Sequence, residues 1–198
     1  MRHTALLYRV TRPVFTFILK QFFHPRIINK EFIPGDGAAV VAGNHKHALD
    51  PILVGTCTGR VLHSLAKKEL HDGMFGRIFR AAGTIPVDLH AKRNQAALIT
   101  AIEYLEDGAL IGVSPESKRN YTDEILLPFK FGAVKMASET GCPIIPYAIT
   151  GEYRFWSKDL TIEFGTPLDM TGLSMEAANA LLYDTIKALL IKNLQSEV

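Results

Sequence analysis

Six apolar runs of strand length, at 38–42, 61–66, 84–87, 110–114, 144–149 and 160–164, alternate with longer segments near 51–58, 73–82, 92–107, 130–140 and 174–194. The longer segments have helical period, so the alternation predicts an α/β fold with a mostly parallel central sheet flanked by helices. Gly108 and Gly141 stop two of the helices as C-terminal glycines. The final helix begins at Ser174 and carries Met175, Ala178, Leu181, Leu182, Ile186, Leu189 and Leu190 at three-and-four spacing, which suits a helix that closes the core. With 198 residues, 47% of them hydrophobic, the chain can build one substantial core. Its glycines and prolines are scattered, and no repeat or low-complexity tract marks a linker. A single domain over 31–198, preceded by a distinct segment over 1–30, is the expected organisation.

Charge and cysteine content narrow the classes. A net charge of +2 is too small to imply nucleic acid as a partner, and no aromatic-and-basic motif of the RNA-binding kind occurs. Cys57 and Cys142 lack metal-ligand spacing and lie in apolar surroundings, as buried thiols of a reducing compartment do. A cytoplasmic chain is expected. Any anionic ligand must then be met by local cations, of which the pairs Lys67-Lys68, Lys92-Arg93 and Lys118-Arg119 stand out.

The apolar stretch from Val14 to Leu19 is too short to span a bilayer, which takes about 20 apolar residues. Nor does a cleavage site of small residues follow it. On a helix, Arg9, Arg12, Thr16 and Lys20 form a narrow polar stripe, while Leu6, Leu7, Val10, Val14, Phe17, Ile18 and Phe22 cover the opposite side and Pro13 introduces a kink. This pattern fits a helix lying in the plane of an anionic membrane surface, and equally a helix packed on the core.

The run Asn44-His45-Lys46-His47-Ala48-Leu49-Asp50-Pro51 follows the first strand. Positions five apart on a continuous helix point about 140° away from each other, so His45 and Asp50 meet only if the chain bends between them. Pro51 favours such a bend and suits the first helical position. Asp50 is then either an N-cap or the acid that orients a catalytic base. Two further strand ends carry charge: Asp88 follows the third, and Glu116, Lys118 and Arg119 follow the fourth. In open α/β sheets ligands gather beyond the carboxyl ends of strands, so these groups converge on one crevice. His45, His47 and Asp50 also suggest a metal-dependent hydrolase, but His3, His24, His63, His71 and His90 supply no second paired cluster. His47 is the rival base to His45; on an extended segment only one of the two faces the crevice.

The order of these motifs resembles the glycerolipid acyltransferase family. It runs from Asn44-His45 to Asp50-Pro51, through Leu65-Ala66-Lys67-Lys68-Glu69-Leu70, Gly83-Thr84-Ile85-Pro86-Val87-Asp88 and Ser114-Pro115-Glu116-Ser117-Lys118-Arg119. It continues with Phe129-Lys130-Phe131-Gly132-Ala133 and ends at Pro143-Ile144-Ile145-Pro146. The resemblance implies that 31–198 is an acyltransferase domain needing no bound cofactor. A fatty acyl group passes from an acyl thioester, acyl-CoA or acyl-carrier protein, to the free hydroxyl of a lysophospholipid, with 1-acylglycerol 3-phosphate giving phosphatidic acid as the leading case. His45 is then the general base and Asp50 its orienting acid. The family's Glu-Gly-Thr-Arg block, which helps to bind the acceptor phosphate, is matched by Glu116 and Arg119, with Ser117 and Lys118 in place of its glycine and threonine. Where the family has an arginine after Asp88 this chain has Leu89-His90, which leaves either Arg93 as the substitute contact or no second phosphate contact. The resemblance also implies a peripheral place on the cytoplasmic face of the cell membrane, with 1–30 as the membrane-associating segment. The alternative reading within the same fold is a catalytically silent lysophospholipid-binding membrane protein.

Overall fold

The computed structural model describes residues 6–88 and 94–196. The chain opens with α1 (Leu6–Phe22), then β1 (Arg26–Ile28), a 3₁₀ turn at Lys30–Phe32, β2 (Ala39–Gly43), α2 (Asp50–Thr56), β3 (Leu62–Lys67), α3 (Lys68–Asp72), α4 (Gly76–Ala81) and β4 (Ile85–Val87). It continues with α5 (Gln95–Glu106), β5 (Leu110–Val113), α6 (Gly132–Thr140), β6 (Ile144–Thr150), β7 (Thr161–Phe164) and α7 (Met175–Ser196). The seven strands form one sheet in the order β1-β7-β6-β2-β5-β3-β4. Every neighbouring pair is parallel except β6 with β7. The expected α/β domain is therefore present, with six of its strands found within a residue or so of their predicted limits.

Central strands buried on both faces read as continuous apolar runs, and β2 has all five residues buried. Alternate side chains divide between two cores. Val40 and Ala42 join Ile111, Ile144 and Ala148 beneath α5, α6 and α7. Ala39 and Val41 join Leu53, Leu110, Ile145 and Ile162 beneath α1 and α2. Cys57 and Cys142 are buried free thiols, and burial pushes Cys57 up to about 12, which keeps its sulfur protonated at neutral pH.

Three details differ from the sequence expectation. First, β1 escaped notice: three residues, one of them charged, carry no alternating pattern, and pairing with β7 alone makes it a strand. Second, the helix expected over 73–82 is the shorter α4 (Gly76–Ala81), and an unexpected short helix, α3 (Lys68–Asp72), precedes it with a bend between them. Gly76 allows the bend, because a Cβ there would lie 1.8 Å from the carbonyl oxygen of His71. Third, α1 continues through Pro13, and part of its polar stripe faces the protein. Arg12 donates from Nε to the carbonyl of Gly55 (3.2 Å) and from Nη2 to that of Thr56 (3.4 Å), and Tyr8 donates to Gly55 as well (3.2 Å). These groups satisfy carbonyls at the C-terminal end of α2, where a cation is favoured. Docking through Tyr8, Arg12 and Leu19 leaves Val10, Val14, Phe17 and Ile18 exposed, Phe17 by 66%.

β2 ends where two close approaches fix the chain. The Asn44 amide donates to the carbonyl of Ile149 (2.9 Å) and accepts from its N–H (2.8 Å), which joins the end of β2 to β6. At Gly43 a Cβ would stand 2.4 Å from the carbonyl oxygen of Tyr147 and 2.3 Å from its ring. Gly43→Ala is therefore expected to destabilise the fold by about 1–3 kcal/mol or more, since backbone on the facing strand must move. A thermal melt of the variant beside the parent measures this.

Candidate active site

Parallel pairing brings the carboxyl ends of β5, β2 and β6 side by side, so the loops that follow these strands share one edge of the sheet. The turn 44–49 after β2 carries His45, and Asp50 opens α2. The bend required by their spacing is made: His45 Nδ1 lies 2.9 Å from Asp50 Oδ2. The same oxygen accepts the backbone N–H groups of Lys46 and His47, each at 2.8 Å, and Oδ1 accepts the hydroxyl of Tyr153 at 2.8 Å. Asp50 is thus not the N-cap of α2. It is fully buried, in the first turn of the helix, and its carboxylate reaches back to organise the residues before it.

A carboxylate only accepts hydrogen bonds, so its contact places the imidazole proton on Nδ1 and leaves the lone pair on Nε2. The His45 side chain is 21% exposed, enough to meet a ligand. His47 differs. Its Nδ1 accepts the N–H of Leu49 (3.2 Å), and its ring stacks on Tyr153 with centroids 4.5 Å apart. No carboxylate orients it.

Glu116, after β5, is buried and joins two loops. Oε1 accepts the N–H of His45 (2.9 Å) and Oε2 the N–H of Leu127 (2.8 Å). Burial raises its carboxyl pKa, against the lowering effect of those two bonds and of His45. Glu116, expected to contact the acceptor, also holds His45 and Leu127 through its two oxygens while lining the cavity beside them. The N–H of Asn120 donates to the carbonyl of His45 (2.9 Å), a second tie between the same loops. Burial, then the nearby Asp50 carboxylate, raises the hydroxyl pKa values of Tyr147 and Tyr153, which keeps both as neutral donors.

Beside this turn lies a cavity of about 430 Å³, lined by Glu116, Ser117, Lys118, Leu127, Pro128 and Lys130. Lys118 is where the sequence reading placed a cation. Arg119 is exposed next to it, with its guanidinium 5.5 Å above the ring of Tyr121. Lys130 was not among the expected site residues, although the motif Phe129-Lys130-Phe131 contains it. Its N–H donates to the carbonyl of Pro115 (2.9 Å), which folds 126–130 back over the loop after β5. Asp88 follows β4, three strand spacings or about 14 Å from β2, and does not line the cavity. Arg93 lies outside the described residues. Among the described residues no three His, Cys, Asp or Glu side chains gather as a metal site.

A buried acid with an imidazole oriented on it, and a cation-lined cavity beside them, lie at the carboxyl edge of the sheet. Residues 24–150 match the family model described as Acyltransferase, and the chain belongs to that family. It is 29% identical over 149 residues to the 1-acyl-sn-glycerol-3-phosphate acyltransferase of Bacillus subtilis, covering 72% of this chain and 73% of that protein. Identity is 30% over 141 residues to the Borreliella burgdorferi protein of the same name, covering 70% of this chain and 56% of the relative. The fold is similar to the crystal structure of the 1-acyl-sn-glycerophosphate (LPA) acyltransferase, PlsC, of Thermotoga maritima, with a TM-score of 0.72 and 25% identity. That match covers 94% of this chain and 78% of the other.

Asp50→Asn tests the charge of the dyad without removing its contacts. The amide oxygen can keep the donors at Oδ2, and the amide nitrogen can donate to the Tyr153 oxygen. The variant is expected to fold and to lose about 10²–10⁴-fold in kcat, because an uncharged partner no longer stabilises the imidazolium. Circular dichroism with a steady-state assay measures both.

Proposed function

We propose that the protein transfers a fatty acyl group from an acyl thioester, acyl-CoA or acyl-carrier protein, to the free hydroxyl of a lysophospholipid, 1-acylglycerol 3-phosphate before others, giving phosphatidic acid. The observation that carries this reading is the His45–Asp50 contact at 2.9 Å beside a cavity lined by Lys118 and Lys130. Family membership and the activities named for the relatives support it.

The chemistry follows from the geometry. His45 Nε2 takes the proton of the acceptor hydroxyl as its oxygen attacks the thioester carbonyl carbon, and Asp50 stabilises the imidazolium. The tetrahedral intermediate collapses, the carbon–sulfur bond breaks, and the thiolate leaves with the proton returned from His45. No acyl-enzyme is required. Lys118 and Lys130 supply point charges for the acceptor phosphate, with the Arg119 fork beside them.

The proposed place of action is the cytoplasmic face of the cell membrane, held peripherally through α1. Among the described residues no helix is long and apolar enough to cross a membrane. What supports a surface seat is the exposed ridge of Val10, Val14, Phe17 and Ile18 on α1, together with exposed Phe75, which caps α4, and Ile78 on α4, a helix that α1 touches. The docking of Arg12 on α2 leaves Arg9 and Lys20, both exposed, as the cations of α1 nearest to lipid head groups.

Two assays follow. Release of free thiol from acyl-CoA and from acyl-carrier protein, measured with a panel of lysophospholipids, is expected to fall about 10²–10⁴-fold in His45→Ala. It should survive in His47→Ala and in the presence of a chelator; thiol release that responds to no acceptor would identify a silent binder instead. Co-sedimentation with anionic vesicles is expected to drop about tenfold or more in Phe17→Asp, with the melting temperature unchanged, since that side chain contributes apolar burial only at the surface.

A further inference from the structure

We propose that Tyr153 is a positioning residue of this site: from the loop after β6, its hydroxyl fixes the Asp50 carboxylate and, through it, the ring of His45. The inference rests on the reading of His45 as the base. Asp50 is fully buried and divides its contacts by oxygen, with three donors from the catalytic turn on Oδ2 and the Tyr153 hydroxyl on Oδ1 at 2.8 Å. A carboxylate held on one oxygen can rotate about its Cβ–Cγ bond. A donor on the other oxygen blocks that rotation and keeps Oδ2 on His45 Nδ1.

The mount of Tyr153 is rigid. One face of its ring stacks on His47 at 4.5 Å, and its ring meets Phe23 at 6.0 Å, edge to face. Phe23 in turn stacks on Phe155 at 5.0 Å. The loop is pinned to the end of α1 by the N–H of Trp156, which donates to the carbonyl of Phe22 at 2.7 Å. At its start, Lys46 Nζ donates to the carbonyl of Gly151 and lies 3.1 Å from Glu152 Oε1, which joins the loop to the catalytic turn itself. Tyr153 is not among the residues that line the cavity, and its hydroxyl is engaged by Asp50 Oδ1. Aromatic rings locked on two sides hold a donor with little loss of freedom when the bond forms.

The hydroxyl also tempers the charge that His45 feels. Among the described residues, the other titratable groups around the dyad and Tyr153 include Glu116 after β5, Tyr147 on β6, Cys57 at the end of α2, and Lys46 and His47 in the turn. None of these contacts changes when one oxygen atom is removed from Tyr153. Without that donor the Asp50 charge is less neutralised, the imidazolium of His45 is favoured, and the free base is lost at a higher pH.

Tyr153→Phe keeps the ring contacts and removes the hydroxyl. It is expected to fold, to lose about tenfold in kcat with the KM for 1-acylglycerol 3-phosphate unchanged, and to move the acid limb of the pH–rate profile to higher pH. 3-Fluorotyrosine at the same position, a stronger donor of the same shape, is expected to move that limb the opposite way. A lower melting temperature with an unmoved limb would make the role structural only and overturn the proposal, as would parental kcat and limb in both variants. His45→Ala in the same assay separates the two readings. If it retains turnover, the base assignment has failed; if it is inactive while Tyr153→Phe behaves as the parent, positioning by Tyr153 alone has failed.

Discussion

A buried carboxylate that collects hydrogen bonds from four groups holds the site together. Removing Asp50 from water is costly, and the cost is offset only because His45, two backbone amides and Tyr153 converge on it. That convergence dictates the local backbone. A helix cannot bring residues 45 and 50 together, so β2 must end in a bend, and the N–H groups of Lys46 and His47 are aimed at the carboxylate by the bend itself. The turn 44–49 and Asp50 are therefore one unit, joined by three hydrogen bonds to one carboxylate oxygen.

The sheet explains why other loops reach this unit. β5, β2 and β6 are neighbours and parallel, so the residues that follow them emerge within two strand spacings of each other. Glu116 arrives from one side and takes the His45 N–H; Tyr153 arrives from the other and takes Asp50 Oδ1. Both are held by what lies behind them, Glu116 by Leu127 and Tyr153 by the aromatic contacts at the end of α1. An imidazole supported from both neighbouring loops is kept in orientation without any contact to the substrate.

What the sequence made legible follows from the range of each signal. Buried strands announce themselves as short apolar runs, and the His45-to-Asp50 spacing, with proline behind it, announces a bend. Both are local. Glu116 was visible as a charged residue after a strand, but its role was not, because two N–H partners 11 and 71 residues away decide it. Tyr153 lies 103 residues from its partner in a loop with no period or motif to mark it. The face of α1 was half legible: spacing found the apolar ridge, but only the carbonyls left at the end of α2 explain why Arg12 turns inward. β1 depends wholly on a partner strand 135 residues later.

Charges of both signs gather at the site, and their placing bears on how an anionic acceptor can approach. Asp50 and Glu116 are buried, Glu116 at the wall of the cavity, while the cations Lys118 and Lys130 line that cavity and Arg119 is exposed beside it. On the proposed function a phosphate would meet the lysines, and the carboxylates are already engaged by donors that reduce the field they project. On the same function, carboxylates at the mouth would repel the acceptor, and lysines behind the imidazole would disfavour its protonated form. Attraction of an anion and basicity of the histidine are opposing demands on local charge. This fold brings the opposing charges to one edge of the sheet, Asp50 from the start of α2, Glu116 and Lys118 from the loop after β5, and Lys130 from the segment folded over that loop.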